Sequence, residues 1–257
     1  MSSTTAVRRD NQKEWKRNPD MDYHERQFEE VYRGTVHLCD WLESLGRISP
    51  DSELRILDIG AGMGSNIHYM AQRFPKCEYV GMDINEDLVG RGSEILAERG
   101  MDNCSLVVGD IYNMDEFTGQ FDAVVSFQTV LGLPELELPL EQHAELGADW
   151  VALSSHFYDG LVNARIEVHD YYRPRDDEEY KVRFYNVHSL QRTEELFAKE
   201  GYDRFDWTPF DIDIDLPKTD YKGMGTYTER LEDGRRLQRS GPILMPWHFV
   251  CAARAEG

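Results

Sequence analysis

The stretch LDIGAGMGSN, residues 57–66, constrains the fold of this chain more than any other. Gly60, Gly62 and Gly64 alternate within it, between the strand-like run RILDI (55–59) and a helical pattern in which Ile67, Met70, Ala71 and Phe74 share a face. A strand that turns through bare glycines into a helix leaves its backbone open to a ligand. The alternation then continues. EYVGMD (78–83) reads as a second strand, and the stretch with Leu88, Val89, Gly92, Ile95 and Leu96 as a second helix that Gly90 and Gly92 weaken. SLVVGD (105–110), FDAVVSF (121–127) and DWVALSS (149–155) follow as strands, with a helix over 136–146 before the last. Such alternation predicts a parallel α/β sheet, and ligands on such sheets sit at the carboxyl ends of the strands.

The flanks read differently. Residues 1–24 are polar and unperiodic, which predicts a tail that is disordered or ordered only over a ligand. From Glu25 onward, Phe28, Val31, Tyr32, Thr35, Leu38, Cys39, Leu42 and Leu45 recur at spacings of three and four, the stripe of one long helix closed by Gly46. After the fifth strand come strand-like runs over 161–187 around the charged loop RPRDDEEYK, then a helix from an N-cap at Ser189 to a stop at Gly201. DIDIDL (211–216) reads as a strand with a solvated acidic face. Asp233-Gly234 predicts a hairpin, and PWHFVCAAR (246–254) a last strand. Such tail strands pair antiparallel beside a parallel sheet. The chain therefore divides into a tail and helical cap over 1–50 and an α/β domain over 51–257.

Charge excludes several partners. Lysine and arginine number 28 against 48 acidic residues, so 28 − 48 = −20, which repels nucleic-acid backbones and anionic membrane surfaces. No apolar stretch has the length of a membrane span or the pattern of a signal peptide, and a cytoplasmic protein is expected. Cys39, Cys77, Cys104 and Cys251 match neither a zinc spacing nor a disulfide framework and read as reduced core thiols. Among His156, His169, Asp170, His188 and His248 no spacing demands a metal, and none is expected.

Three carboxylates narrow the ligand. Asp58 ends the first strand, two residues before the first glycine; a phosphate there would be opposed and a cation favoured. The dinucleotide pattern G-x-G-x-x-G would need glycine where Ser65 stands, and no phosphate loop ending in Gly-Lys occurs. Asp83, at the end of the second strand, is placed to accept from both hydroxyls of a ribose, and Asp110, ending the third, from an adenine amine. One acid per consecutive strand end describes a cationic nucleoside.

In these motifs, together with GMDINEDLV, GDIYNM and FDAVVSFQTVLGL, the chain over about 52–155 resembles the class I S-adenosylmethionine-dependent methyltransferases. The resemblance implies a Rossmann-like, seven-stranded mixed sheet with helices on both faces and an antiparallel last strand. It implies S-adenosylmethionine as cofactor: Asp58, Gly60 and Gly62 at its methionine end, Asp83 on the ribose, Ile84 against the adenine, Asp110 and Ile111 at the adenine edge, and Phe127 and Gln128 beside the sulfonium. It leaves the substrate open, since the family has no invariant catalytic residue.

A sulfonium is an activated methyl donor, so alignment of the acceptor and exclusion of water supply most of the catalysis. A base is needed where the acceptor arrives protonated. Candidates lie after the fourth and fifth strands: His156 first, as base or substrate contact, then Tyr158, with Gln128 suited to orientation. Tyr23, Phe28, Tyr32, Phe157, Tyr158, Tyr171, Tyr172 and Trp247 are available to wall an apolar or cationic acceptor. The expectation is a methyltransferase acting on oxygen or nitrogen of a small molecule, its leading helix and tail closing as a lid. The hairpin over 226–240 then adds to the substrate wall or to a homodimer contact. A protein or peptide acceptor, and a non-catalytic nucleoside-binding protein on the same fold, are the alternatives.

Overall fold

The computed structural model describes residues 3–17, 19–172, 179–220, 222–223, 225–243 and 245–255. Before the glycine loop stand three helices, α1 (Ser3–Trp15), α2 (Met21–Arg26) and α3 (Arg33–Ser44). The α/β series follows as β1 (Arg55–Ile59), α4 (Ser65–Arg73), β2 (Glu78–Asp83), α5 (Glu86–Glu98), β3 (Cys104–Val108), β4 (Ala123–Phe127), α6 (Leu138–Glu145) and β5 (Trp150–Tyr158). The remainder comprises β6 (Glu167–Asp170), β7 (Lys181–Phe184), β8 (His188–Ser189), α7 (Leu190–Lys199), β9 (Arg204–Phe210), β10 (Thr226–Arg230), β11 (Arg236–Ser240) and β12 (Trp247–Ala253).

The main sheet runs β3-β2-β1-β4-β5-β12-β9. Its first five strands are parallel, while β12 lies antiparallel to both β5 and β9. This is the mixed seven-stranded sheet expected, with the short β8 added beside the end of β5. Parallel pairing brings the carboxyl ends of β1 to β5 to one edge. Pairing of Trp247 with His156 brings the start of β12 there too.

Strand alternation sorts the core onto two faces. Ile56, Tyr79, Val125, Ala152 and Cys251 face Leu38, Leu42, Ile67, Met70 and Leu96 of α3, α4 and α5. Leu57, Ile59, Val124, Leu153 and Val250 face Leu140, Ala144, Leu190 and Phe197 of α6 and α7. By the same alternation Asp58, Asp83, Phe127, His156 and Trp247 project from the α3–α5 face. Ser189 caps α7 by accepting from the Arg192 N–H, and Gly201, at φ +84°, follows its end. Asp233-Gly234 makes the turn between β10 and β11, which form a separate two-stranded sheet, as do β6 and β7.

Four expectations are corrected. Residues 1–24, read as a tail, carry α1 and α2, which gain their order from long-range hydrogen bonds described below. The long helix from Glu25 is two helices broken over 27–32, where Tyr32 is extended (φ −58°, ψ 126°) at the start of α3. Residues 211–216 form no strand: Asp213 pairs with Arg33, and Asp215 with Arg230 and Arg236, so arginine contacts set their path. Gly92 does not weaken α5 for lack of a reason. A Cβ there would stand 2.3 Å from the Met63 carbonyl oxygen, so glycine is what lets the helix pack on the glycine loop. Of the loop RPRDDEEYK, residues 173–178 lie outside the described residues. No helix among the described residues is long and apolar enough to cross a membrane.

Candidate functional site

The glycine loop is clamped from both neighbouring strands. The N–H groups of Gly60 and Ala61 donate to the Met82 carbonyl of β2, at 2.8 and 3.0 Å. On the other side, Ser126 and Thr129 hydroxyls donate to the Ile59 carbonyl, at 2.8 and 3.1 Å. Gly60, Gly62 and Gly64 all have positive φ (+78°, +57° and +85°), a backbone that L side chains rarely adopt. A Cβ on Gly60 would also stand 2.2 Å from the Thr129 hydroxyl.

Three carboxylates stand at the carboxyl edge of the sheet in different states. Asp58 is fully buried, and neither oxygen has a hydrogen-bond partner. Burial first, and the neighbouring Asp83 charge second, push its carboxyl up to about 8, with Asn66 pulling the other way. Asp83 accepts from the Gly62 N–H (2.8 Å) through one oxygen and from the Asn85 N–H (2.9 Å) through the other. Burial raises its pKa, and those N–H groups and His24 oppose the shift. Asp110 accepts from the Tyr112 N–H (3.1 Å) and from the Gln12 amide (2.7 Å). Ile111 is buried and Ile84 half-buried beside them.

Asp83 is the expected ribose acceptor and already accepts from two backbone N–H groups, so two consequences are expected of its removal. Asp83→Ala is expected to weaken binding of an adenosine ligand about 10- to 150-fold, the loss of roughly 1.5 to 3 kcal/mol for hydrogen bonds to a charged acceptor. It also strips two loop N–H groups of their acceptor, so the melting temperature falls. Asp83→Asn, which keeps one acceptor oxygen, falls between. Calorimetry together with thermal melts checks the pair, and unchanged affinity in both variants contradicts the assignment.

The N-terminal segment closes over the same edge. Asn11 donates to the Gly132 carbonyl (3.2 Å), the Asn85 amide donates to the Trp15 carbonyl (2.8 Å), and the Arg8 guanidinium pairs with Glu135 (2.5 Å) and lies 4.3 Å from the Tyr112 ring. From α2, His24 covers Gly62, with ring atoms 3.1 and 3.2 Å from where a Cβ would stand. Gln27 accepts from the Ser65 hydroxyl at 3.3 Å. Gln12 and His24 are the residues sequence reasoning missed, because the pattern that revealed the acids lies within one α/β unit and these come from outside it.

At the ends of β4 and β5 the candidates separate. Gln128 is the one non-glycine among the described residues with positive φ (+59°), the strained geometry often found at binding sites. Its N–H donates to the Ser154 carbonyl at 2.9 Å, and its side chain reaches the Tyr32 hydroxyl. Phe127 is half-buried on the same face. His156 is buried, its ring 4.2 Å from that of Trp247 and 6.5 Å from that of Tyr185, with no partner on Nδ1. Burial, aided by His248 and His188, lowers its pKa to about 4, so it is neutral at pH 7. Tyr158 is 48% exposed at the strand end and does not join this group. Among the described residues no cluster of three or more His, Cys, Asp or Glu is arranged to hold a metal ion.

Residues 50–167 match a family model described as a methyltransferase domain. Sterol 24-C-methyltransferase from Candida albicans is 29% identical over 92 residues, which is 35% of this chain and 24% of that protein. The matched stretches cover between about a quarter and a third of the curated relatives' own length. Two solved structures share the fold. The YcgJ protein of Bacillus subtilis aligns over 88% of this chain and 100% of its own, with a TM-score of 0.55 and 13% identity. The N-terminal domain of EvdMO1, solved with S-adenosylhomocysteine bound, aligns over 86% and 81%, with a TM-score of 0.51 and 14% identity.

Proposed function

We propose that residues 50–167, which match the methyltransferase-domain model, form a class I S-adenosylmethionine-dependent methyltransferase domain, and that the chain transfers a methyl group from this cofactor to an oxygen or nitrogen of a small molecule. The observation that carries the reading is Asp58, a fully buried carboxyl with a raised pKa that makes no hydrogen bond of normal geometry and has only the Asn66 side chain near it, beside a glycine-rich loop. Such a group is costly unless a cation meets it. S-adenosylmethionine, with its ammonium and sulfonium charges, is such a cation, and when bound it supplies a methyl group already activated for transfer.

The chain's own residues then divide the work. Asp58, Gly60 and Gly62 receive the methionine end, Asp83 the ribose with Ile84 alongside, and Asp110 with Ile111 the adenine edge. Phe127 and Gln128 border the reacting centre. His156, kept neutral, is the proton acceptor: a pKa near 4 makes it a weak base, yet a hydroxyl becomes strongly acidic as its oxygen gains a methyl group, so a weak base suffices. Tyr158 stands at the rim and serves, at most, entry of the acceptor.

Residues 1–50 are read as the lid and residues 51–257 as the catalytic domain. Cover by α1, α2 and the β10–β11 hairpin supports a small acceptor over a peptide, which needs an open groove. The charge of −20 argues against nucleic acid, and four free cysteines accord with a cytoplasmic setting.

The test is direct. Calorimetry is expected to give saturable binding of S-adenosylhomocysteine and weaker binding of NADH; the reverse order overturns the reading. His156→Asn is expected to lower kcat about 10²- to 10⁴-fold, the usual worth of a general base, with little change in cofactor affinity. Full activity in that variant removes the assigned role, and cofactor binding without turnover on any acceptor favours a non-catalytic nucleoside-binding protein.

A further inference from the structure

A second group of side chains converges on the edge of the sheet beside the cofactor crevice. Its floor is buried: Trp247, Gln238 and His156 are 3%, 3% and 1% exposed. On each, a polar atom makes no hydrogen bond of normal geometry, Nε1 of Trp247, Nε2 of Gln238 and Nδ1 of His156, the Gln238 amide only approaching the Tyr32 hydroxyl. Its walls retain accessible surface, since Phe127, Gln128, Tyr32 and Tyr185 are all half-buried. The group is contiguous. Trp247 packs on His156, His156 faces Tyr185, and the Tyr32 hydroxyl lies within reach of Gln128, Tyr23 and Gln238.

Four separate pieces of chain build it. Tyr23 and Tyr32 come from the N-terminal cover, Gln128 and His156 from the ends of β4 and β5, Tyr185 from the segment after β7, and Gln238 and Trp247 from β11 and β12. A fold gathers uncompensated N–H donors from such distant segments at a cost, because each unmet buried donor is unfavourable by about 1 to 3 kcal/mol. The orphans share a chemistry: the indole N–H donates only, and so does the amide nitrogen of Gln238. No group in the set carries a charge at pH 7. The charges nearest Tyr185, Arg183 and Asp170, oppose each other in sign.

We propose that this group is the acceptor site and that it takes a neutral, planar molecule, methylated on a hydroxyl oxygen that lies next to a carbonyl or a second oxygen. Aromatic walls suit a flat ring system. The Trp247 and Gln238 donors meet its oxygens, and the two charges beside Tyr185, being opposite in sign, give no net preference for an ionic acceptor. The inference rests on the methyltransferase reading above. In the reaction the hydroxyl oxygen forms the new O–CH₃ bond with its lone pair. The S–CH₃ bond breaks with both electrons returning to sulfur, and the hydroxyl proton passes to His156 and then to solvent.

The experiment uses the full chain loaded with S-adenosylhomocysteine and three probes of matched shape: 2-acetyl-1-naphthol, 1-naphthoate and 1-naphthylmethylamine. Calorimetry is expected to show the naphthol binding at least tenfold more tightly than the anion or the cation. Trp247→Phe and Gln238→Leu should each weaken the naphthol at least fivefold while leaving the S-adenosylhomocysteine affinity within twofold, which also certifies that the variants fold. Incubation of the naphthol with S-adenosylmethionine should yield the O-methyl ether. Equal or tighter binding of a charged probe, no binding of any probe, or indifference of the naphthol to both substitutions overturns the proposal while the cofactor reading stands. Failure to bind S-adenosylhomocysteine at all removes both.

Discussion

Asp58→Asn is expected to make the ligand-free protein more stable and the cofactor complex weaker, the two changes arising from one atom's charge. A carboxyl held near 8 in the native state and ionising near 3.8 when unfolded binds more protons folded than unfolded between those values. Native stability is therefore lost as pH rises across that window, about 1.4 kcal/mol per unit and on the order of 4 to 5 kcal/mol by neutral pH. The amide removes that term, though its own buried groups go unmet, which leaves a net gain of about 2 kcal/mol. Against this, S-adenosylhomocysteine loses the partner of its ammonium, and affinity falls about 10- to 100-fold. In the unsubstituted protein, binding below pH 8 releases up to one proton and tightens with rising pH. Melts from pH 5 to 9 and titrations in buffers of different ionisation enthalpy read both. A variant with unaltered affinity, or a native stability that climbs through that window for want of this group, contradicts the account.

Deleting residues 1–17 is expected to shorten the residence time of S-adenosylhomocysteine at least tenfold, with a smaller effect on its rate of association. The removed segment contributes Gln12 to Asp110, Asn11 to the Gly132 carbonyl, the Trp15 carbonyl to Asn85 and Arg8 to Glu135. Each such bond is worth about 0.5 to 1.5 kcal/mol net, and together they hold α1 over the edge of the sheet proposed to take the nucleoside. Gln12→Ala alone should accelerate release about fivefold. Stopped-flow displacement measures both. A residence time that deletion leaves unchanged would mean that α1 decorates the edge without closing it. A longer one would mean that Gln12 competes with the adenine amine for Asp110.

The sheet was legible because its information is local. RILDI, EYVGMD and FDAVVSF carry the β-rich composition of buried parallel strands, and each acid falls within two residues of the end of its own strand, Asp110 just beyond β3 rather than in it. The three carboxylates were read from their places at strand ends, and of them Asp58 adjoins the glycine loop in sequence and Asp83 accepts from its Gly62 N–H. What failed was long-range. Nothing in the polar run ahead of Trp15 announces a helix, since the contacts that order it reach residues 70 to 127 positions away. The stripe from Phe28 to Leu45 has helical spacing throughout, yet Tyr32 leaves helical geometry at the point where its hydroxyl approaches Gln128. Tertiary placement overrode periodicity there. Tyr185 and Gln238 carried no signal, being an aromatic and an amide in segments with no motif.

The distances along the chain between α1 and its berths also set a timetable. Its partners are made 70 to 127 residues after it, which at about 5 to 20 residues per second means a wait on the order of 4 to 25 seconds during translation. The helix is equipped to wait in water, because STTAVRRDNQKEW holds a single aromatic side chain at its far end. The N-terminal cover thus exists before its berths do, and its full docking on the carboxyl edge of the sheet waits until the chain has been made as far as Glu135.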